Sequence, residues 1–147
     1  MLCGSVRGFA FMYSELPLEF VIFDTAISLQ GSAAAKASWV GHVRESARVA
    51  RGADGWALEI PLAVTLYFFP LGEMRGDLDN VIKPILDGLS RCVYVDDRQV
   101  ERIVVQKFEP RKMFAFSNPS AALTIAMEAD RAAVYVKLSD DLHEELR

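Results

Sequence analysis

Between Leu58 and Phe68 every second residue is a large apolar one: Leu58, Ile60, Leu62, Val64, Leu66 and Phe68. A period of two belongs to a strand with one face in a core, and a helix cannot accommodate it. Pro61 has no amide to give to a ladder, so it delays the start of that strand or places it at an edge. The period then changes. After a loop over Pro70–Gly76, the residues Ile82, Ile85, Leu86 and Leu89 recur at helical spacing. That spacing predicts a helix from about Asn80 to Ser90. Pro84 removes a helical hydrogen bond unless it falls in the first turn, which favours the late start.

A second helix is expected upstream. Ser32 is its N-cap and Gly52 its stop, with Val40, Val43, Ala47 and Ala50 in one stripe and Trp39 beside them. Glu19–Asp24 and Gln99–Glu109 read as strands. Ala122–Glu128 reads as another, with Leu123, Ile125 and Met127 on one face. Ala53-Asp54-Gly55 is a turn, and residues 110–120 form an irregular loop. The sum is an α+β fold: a small mixed sheet of about four strands, with two main helices packed on one face.

The chain has 147 residues, of which 52% are hydrophobic, enough for one domain with a core of its own. The expected division is an N-terminal extension over residues 1–15, a domain over 16–130 and an acidic C-terminal tail over 131–147. Cys3 and Cys92 are far apart, and Cys92 lies in an apolar run as a buried thiol. This pattern fits a reducing cytoplasm better than a disulfide framework. No apolar run reaches the about 20 residues that cross a bilayer.

The formal net charge is −4, which argues against indiscriminate coating of nucleic acid. Residues 128–147 carry −3 of it, and residues 32–51 carry +3 through Lys36, Arg44, Arg48 and Arg51 against Glu45 alone. The arginines read either as a solvated helix face or as a surface for phosphates.

Function concentrates between Gly76 and Val100. Asp77 and Asp79 stand at the predicted helix start. Two residues apart in extended backbone, they would converge on one ion. One Asp satisfies a helix N-cap and its dipole; two Asp followed by Asn80 exceed that need. Lys83 follows Asp79 by four and precedes Asp87 by four. It reads either as a run of surface ion pairs or as a lysine held beside a metal site. Asp96-Asp97 enters from a separate turn. Adjacent acids point apart, so one of the two faces Asp77 and Asp79. Such an oxygen-only set suits Mg²⁺ or Mn²⁺. His42 and His143 are isolated, which argues against zinc.

Asp-Leu-Asp-Asn-x-x-Lys, then Pro-x-x-Asp-x-Leu, then x-Asp-Asp-x-Gln-Val resembles the RusA family of Holliday-junction resolvases, which are often encoded by phages or prophages. The resemblance is specific over Gly76–Val100, with Ser28-Leu29-Gln30 compatible. It implies a small α+β homodimer that uses Mg²⁺ or Mn²⁺ to make paired cuts across four-way junction DNA. It assigns metal binding and catalysis to Asp77, Asp79 and Asp97, and an important role to Lys83. Asp96 is a further acid for that site. Lys36, Arg44, Arg48 and Arg51 are candidates for DNA backbone contacts. The chain departs from the family in its acidic balance, in the sparsely basic Gly31–Lys36 segment and in its acidic tail. Two other readings stay open: a non-catalytic nucleic-acid-binding or regulatory protein, and a nuclease for other branched DNA or RNA.

Overall fold

The computed structural model describes residues 16–52 and 55–144. The expected extension, Cys3 and most of the expected turn at 53–55 lie outside the described residues. Strand β1 (Leu18–Ile22) leads to helix α1 (Ala33–Arg51), strand β2 (Leu62–Phe69) and helix α2 (Leu78–Leu89). A 3₁₀ turn over Asp97–Gln99 opens strand β3 (Val100–Lys107), and helix α3 (Ala121–Glu128) and strand β4 (Ala133–Ser139) follow. The sheet runs β1-β4-β2-β3. β4 is antiparallel to both β1 and β2, while β3 is parallel to β2. Adjacent parallel strands need a crossover, and α2 supplies it. The fold is α+β with a mixed sheet, as the periodicities predict.

Leu62, Val64, Leu66 and Phe68 face α1 and α2, and form one core with Trp39, Val43, Ala47, Val81, Ile85 and Leu89. The predicted alternation holds only after Pro61. β2 starts at Leu62, and Ile60 is left exposed. Helix α1 is bounded as expected: the Ser32 hydroxyl accepts from the Ala35 N–H at 3.1 Å, and Gly52 ends the helix.

Three expectations are corrected. Ala122–Glu128 is not a strand: it lies in helix α3, capped by the Ser120 hydroxyl, which accepts from the Leu123 N–H at 3.1 Å. Leu123 and Ala126, three apart, are its buried residues, while Ile125 points to solvent. α3 covers the sheet face opposite α1 and α2, over Phe69, Phe108 and Tyr135. The two main helices, α1 and α2, share one face as expected, and α3 adds a third helix on the other. The predicted acidic tail contains β4, which runs between β1 and β2 with Val134, Tyr135, Val136 and Leu138 buried. Being covered on both faces, β4 shows no alternation of apolar and polar residues. The third correction concerns where α2 begins.

α2 starts at Leu78, two residues before the expected Asn80, and holds Pro84 in its interior. A proline there leaves the carbonyl four residues earlier without its helical donor. That carbonyl belongs to Asn80, and the backbone N–H of Leu29 donates to it at 2.8 Å. The loss inside the helix becomes a tertiary tie between the loop after β1 and the start of α2.

Candidate active site

The early start of α2 changes how its acids are presented. Gly76 precedes it at φ +84, a left-handed turn that disfavours side chains. Asp77 is the N-cap, in extended backbone, yet its carboxylate makes no capping hydrogen bond. Capping therefore does not account for this acid. Asp79 lies in the first helical turn, not in extended chain, so the pair is not aligned by strand alternation. Both side chains are exposed.

Lys83 stands one turn, about 6 Å of helix axis, beyond Asp79. Its ammonium donates to Asp87 Oδ1 at 2.6 Å and to Asp97 Oδ2 at 2.7 Å. The expected pair with Asp87 forms; the second partner is Asp97 from the 3₁₀ turn, not Asp79. Hydrogen bonds to Asp87 first, and then to Asp97, hold the Lys83 ammonium above the ordinary lysine range. The other oxygen of Asp97 is 2.9 Å from the Tyr94 hydroxyl, which is also 3.2 Å from the Leu86 carbonyl. Burial, then the bond to Asp97, pushes the Tyr94 phenol far up.

Asp96 does something else. Its Oδ1 accepts from the Arg98 N–H at 2.9 Å and from Arg98 Nε at 3.3 Å. The backbone bond, before the side-chain one, draws its carboxyl below the usual range. It caps the turn, and Gln99 completes the capping box. Gln99 Oε1 accepts from the N–H groups of Val95 and Asp96, both at 2.9 Å. Its Nε2 donates to the Leu58 carbonyl at 2.7 Å and the Ile60 carbonyl at 3.0 Å. One amide thus ties the Asp97 turn to the lead-in of β2. The Asp-x-x-Gln spacing at 96–99 was the available signal for that role. For Tyr94 the signal was a phenol inside an apolar run, which needs a partner when buried.

Among the described residues, no three carboxylate, imidazole or thiol side chains are gathered to hold a metal. Asp97 is held by Lys83 and Tyr94, beyond Asp79 along α2. In donor chemistry Asp77, Asp79 and Asp97 nonetheless fit a hard divalent cation: all are carboxylates, and those of Asp77 and Asp79 are exposed.

The basic helix face divides. Arg44 Nη2 donates to the Asp87 carbonyl at 2.7 Å and Nε to the Gly88 carbonyl at 3.3 Å. Arg51 Nη1 donates to the Cys92 carbonyl at 2.7 Å. Arg44 caps the end of α2, where carbonyls lack helical donors and the dipole favours cations, while Arg51 ties down the segment just beyond it. Arg48 is exposed, 3.4 Å from Glu45, and Lys36 Nζ donates to the Leu29 carbonyl at 3.1 Å. Arg44→Ala removes two hydrogen bonds of about 0.5–1.5 kcal/mol each. It is expected to lower unfolding stability by about 1–3 kcal/mol, read as a shifted urea midpoint at unchanged slope.

A crossover helix with two exposed acids at its start is thus joined through Lys83 to an acidic turn. Residues 29–115, more than half of the chain, match the family model of endodeoxyribonuclease RusA, and the chain belongs to that family of Holliday-junction endodeoxyribonucleases. No curated protein matches the chain. The match spans α1, β2, α2, the 3₁₀ turn and β3, and so includes every residue placed in the site. Among the described residues, no helix is long and apolar enough to cross a membrane.

Proposed function

We propose that this chain is a divalent-metal-dependent resolvase that cuts four-way DNA junctions in pairs, as a cytoplasmic homodimer. The observation that carries the reading is the Lys83 ammonium, which joins Asp97 to the helix that starts at Asp77 and Asp79. Asp77, Asp79 and Asp97 would hold Mg²⁺ or Mn²⁺. Bound there, such an ion would supply polarisation of the scissile phosphate and a lowered pKa for an attacking water. Lys83 keeps a positive charge at neutral pH beside the position where negative charge develops. Asp87 holds the other side of that ammonium. Gln99 and the Asp96 cap hold the Asp97 turn against the sheet. Arg48 and Lys36 contact the DNA backbone, while Arg44 keeps α2 in place and Arg51 the segment that follows it.

A C2 dimer presents two copies of one site, matching the two-fold symmetry of a four-way junction. Non-specific affinity comes mostly from neutralised phosphates. A chain of net charge −4 should therefore select junction shape over plain duplex. The test is cleavage of labelled four-way junction, linear duplex and single strand, each with Mg²⁺, Mn²⁺ or EDTA, alongside light scattering. A dimer that cuts only the junction, and only with metal, is expected. Equal cleavage of linear duplex, or junction binding without cutting in either metal, would sink the reading.

A further inference from the structure

Tyr94 has no part in the chemistry above, yet its hydroxyl sits where the orientation of Asp97 is decided. The ring is fully buried, at 0% exposure, in the core beneath α1 and α2. A phenol owns one proton, and its two neighbours, the Asp97 carboxylate and the Leu86 carbonyl, can only accept it. The carboxylate oxygen is the nearer, at 2.9 Å against 3.2 Å. Bonds to an ionised acceptor are also about twice as strong as neutral ones. The proton therefore goes to Asp97. The Leu86 carbonyl does not depend on it, because the Ser90 N–H donates there at 2.8 Å.

Asp97 is thus gripped on both oxygens. Tyr94, three residues upstream, holds Oδ1, and Lys83 on α2 holds Oδ2. Two donors from different elements fix the plane of a carboxylate, and Tyr94, fully buried where Lys83 is half-exposed, is the firmer of the two. An ionised carboxylate offers about four lone-pair sites, so two remain for a cation. We propose that Tyr94 is a positioning residue that, by donating to Oδ1, fixes the Asp97 carboxylate in the orientation from which it binds the divalent ion. The proposal rests on the reading of Asp97 as a metal ligand.

Tyr94→Phe is the appropriate variant. It keeps the ring in its buried space, and it leaves neither the Leu86 carbonyl nor the partly exposed Asp97 without a donor or water. The full chain would be titrated with Mn²⁺ alone by calorimetry, melted, and assayed on junction DNA. Loss of a partner that orients a ligand costs about 10–100-fold in metal affinity or activity. The expected result is Mn²⁺ affinity and kcat each lower by about tenfold, with KM for the junction nearly unchanged and the melting temperature lowered by only a few degrees, as one lost hydrogen bond allows. Tyr135→Phe is the control. It removes the hydroxyl of another buried tyrosine, bonded to Glu19 on the opposite sheet face, and should leave Mn²⁺ affinity unchanged. In the unaltered chain the Tyr94 hydroxyl proton, followed by NMR, should shift when Mg²⁺ is added. That readout does not depend on how the variant folds. Wild-type Mn²⁺ affinity and kcat in a folded Tyr94→Phe chain, or a hydroxyl proton indifferent to Mg²⁺, would overturn the proposal. Asp97→Asn separates the two levels. If it binds Mn²⁺ as the wild type does, the ligand reading itself fails; if only Tyr94→Phe is silent, the ligand reading stands and this inference falls.

Discussion

Lys83→Ala should lower junction cleavage while raising Mn²⁺ affinity. The ammonium lies 2.6 Å from Asp87 Oδ1 and 2.7 Å from Asp97 Oδ2, so it holds the position of a cation between two carboxylates. Removing it leaves two negative groups facing each other with nothing between them. A divalent ion near Asp97 then relieves a repulsion while Tyr94 still orients Oδ1, so the electrostatic gain outweighs the lost second grip and binding tightens. Cleavage moves the other way, because the developing charge on the phosphate loses a preorganised cation. Removing one such donor costs about 10²–10³ in kcat, and at least about a hundredfold is expected here. Stability changes little. The side chain is 50% exposed, and screened pairs of this kind contribute under about 1 kcal/mol. The pKa of Lys83 is raised in the fold, so its contribution is complete below the ordinary 10.5 and fades only as pH rises beyond it. The variant and the wild type should therefore differ by the same small amount from neutral pH to about pH 10. Calorimetry, junction kinetics and melts at two pH values read all three effects. Weaker Mn²⁺ binding together with normal cleavage would return Lys83 to a plain surface ion pair.

What the sequence disclosed about this fold is what local chemistry carries. Ser32 and Gly52 bound α1 because caps act through residues within one turn. Pro61 marks the start of β2 because its missing amide is a local fact. β4 escaped notice because both its faces are buried, which erases the alternation, and because Asp140 and Asp141 drew its flank into an apparent tail. α3 was misread because Leu123, Ile125 and Met127 alternate by chance, although Ser120 stood in the cap position. In the site, the acids and Lys83 could be picked out by type and spacing. Their pairing could not. The partners of Arg44 and Arg51 lie more than 40 residues away along the chain, and those of Lys83 and Gln99 include a residue on another element. Pro84 misled for the same reason: its cost is offset by Leu29, which no local pattern connects to α2.

Gly88→Val should destabilise the chain by more than about 3 kcal/mol, above the usual 1–3 kcal/mol for an overpacked core. Gly88 is buried in the last turn of α2, where α1 crosses it. A Cβ there would lie 2.6 Å from Val43 Cγ1, 2.7 Å from Val43 Cβ and 3.1 Å from the Val40 carbonyl oxygen. A rotamer change at Val43 can move its Cγ1 but not its Cβ, so the helices themselves must part. Replacing glycine in a helix gains about 1 kcal/mol at most in propensity, and β-branched valine gains less than alanine. Two further methyl groups would then enter a crossing that has no room for the first. Native domains hold only about 5–15 kcal/mol in all, so the loss is a large share. It would also reach the chemistry. Arg44 grips the carbonyls of Asp87 and Gly88 across the same crossing, and α2 carries Asp79 and Lys83. Asp97 stays anchored through Gln99 to the lead-in of β2, so a shifted α2 slides two parts of the site past each other. Misplacement by about 1 Å can cost a hundredfold in rate. Urea unfolding of Gly88→Val, Val43→Ala and the double variant checks the cause. The double variant should recover part of the loss, because it removes the nearest contact at Cγ1 but keeps the one at Cβ. Strict additivity would show that the clash at Val43 is not what destabilises the chain.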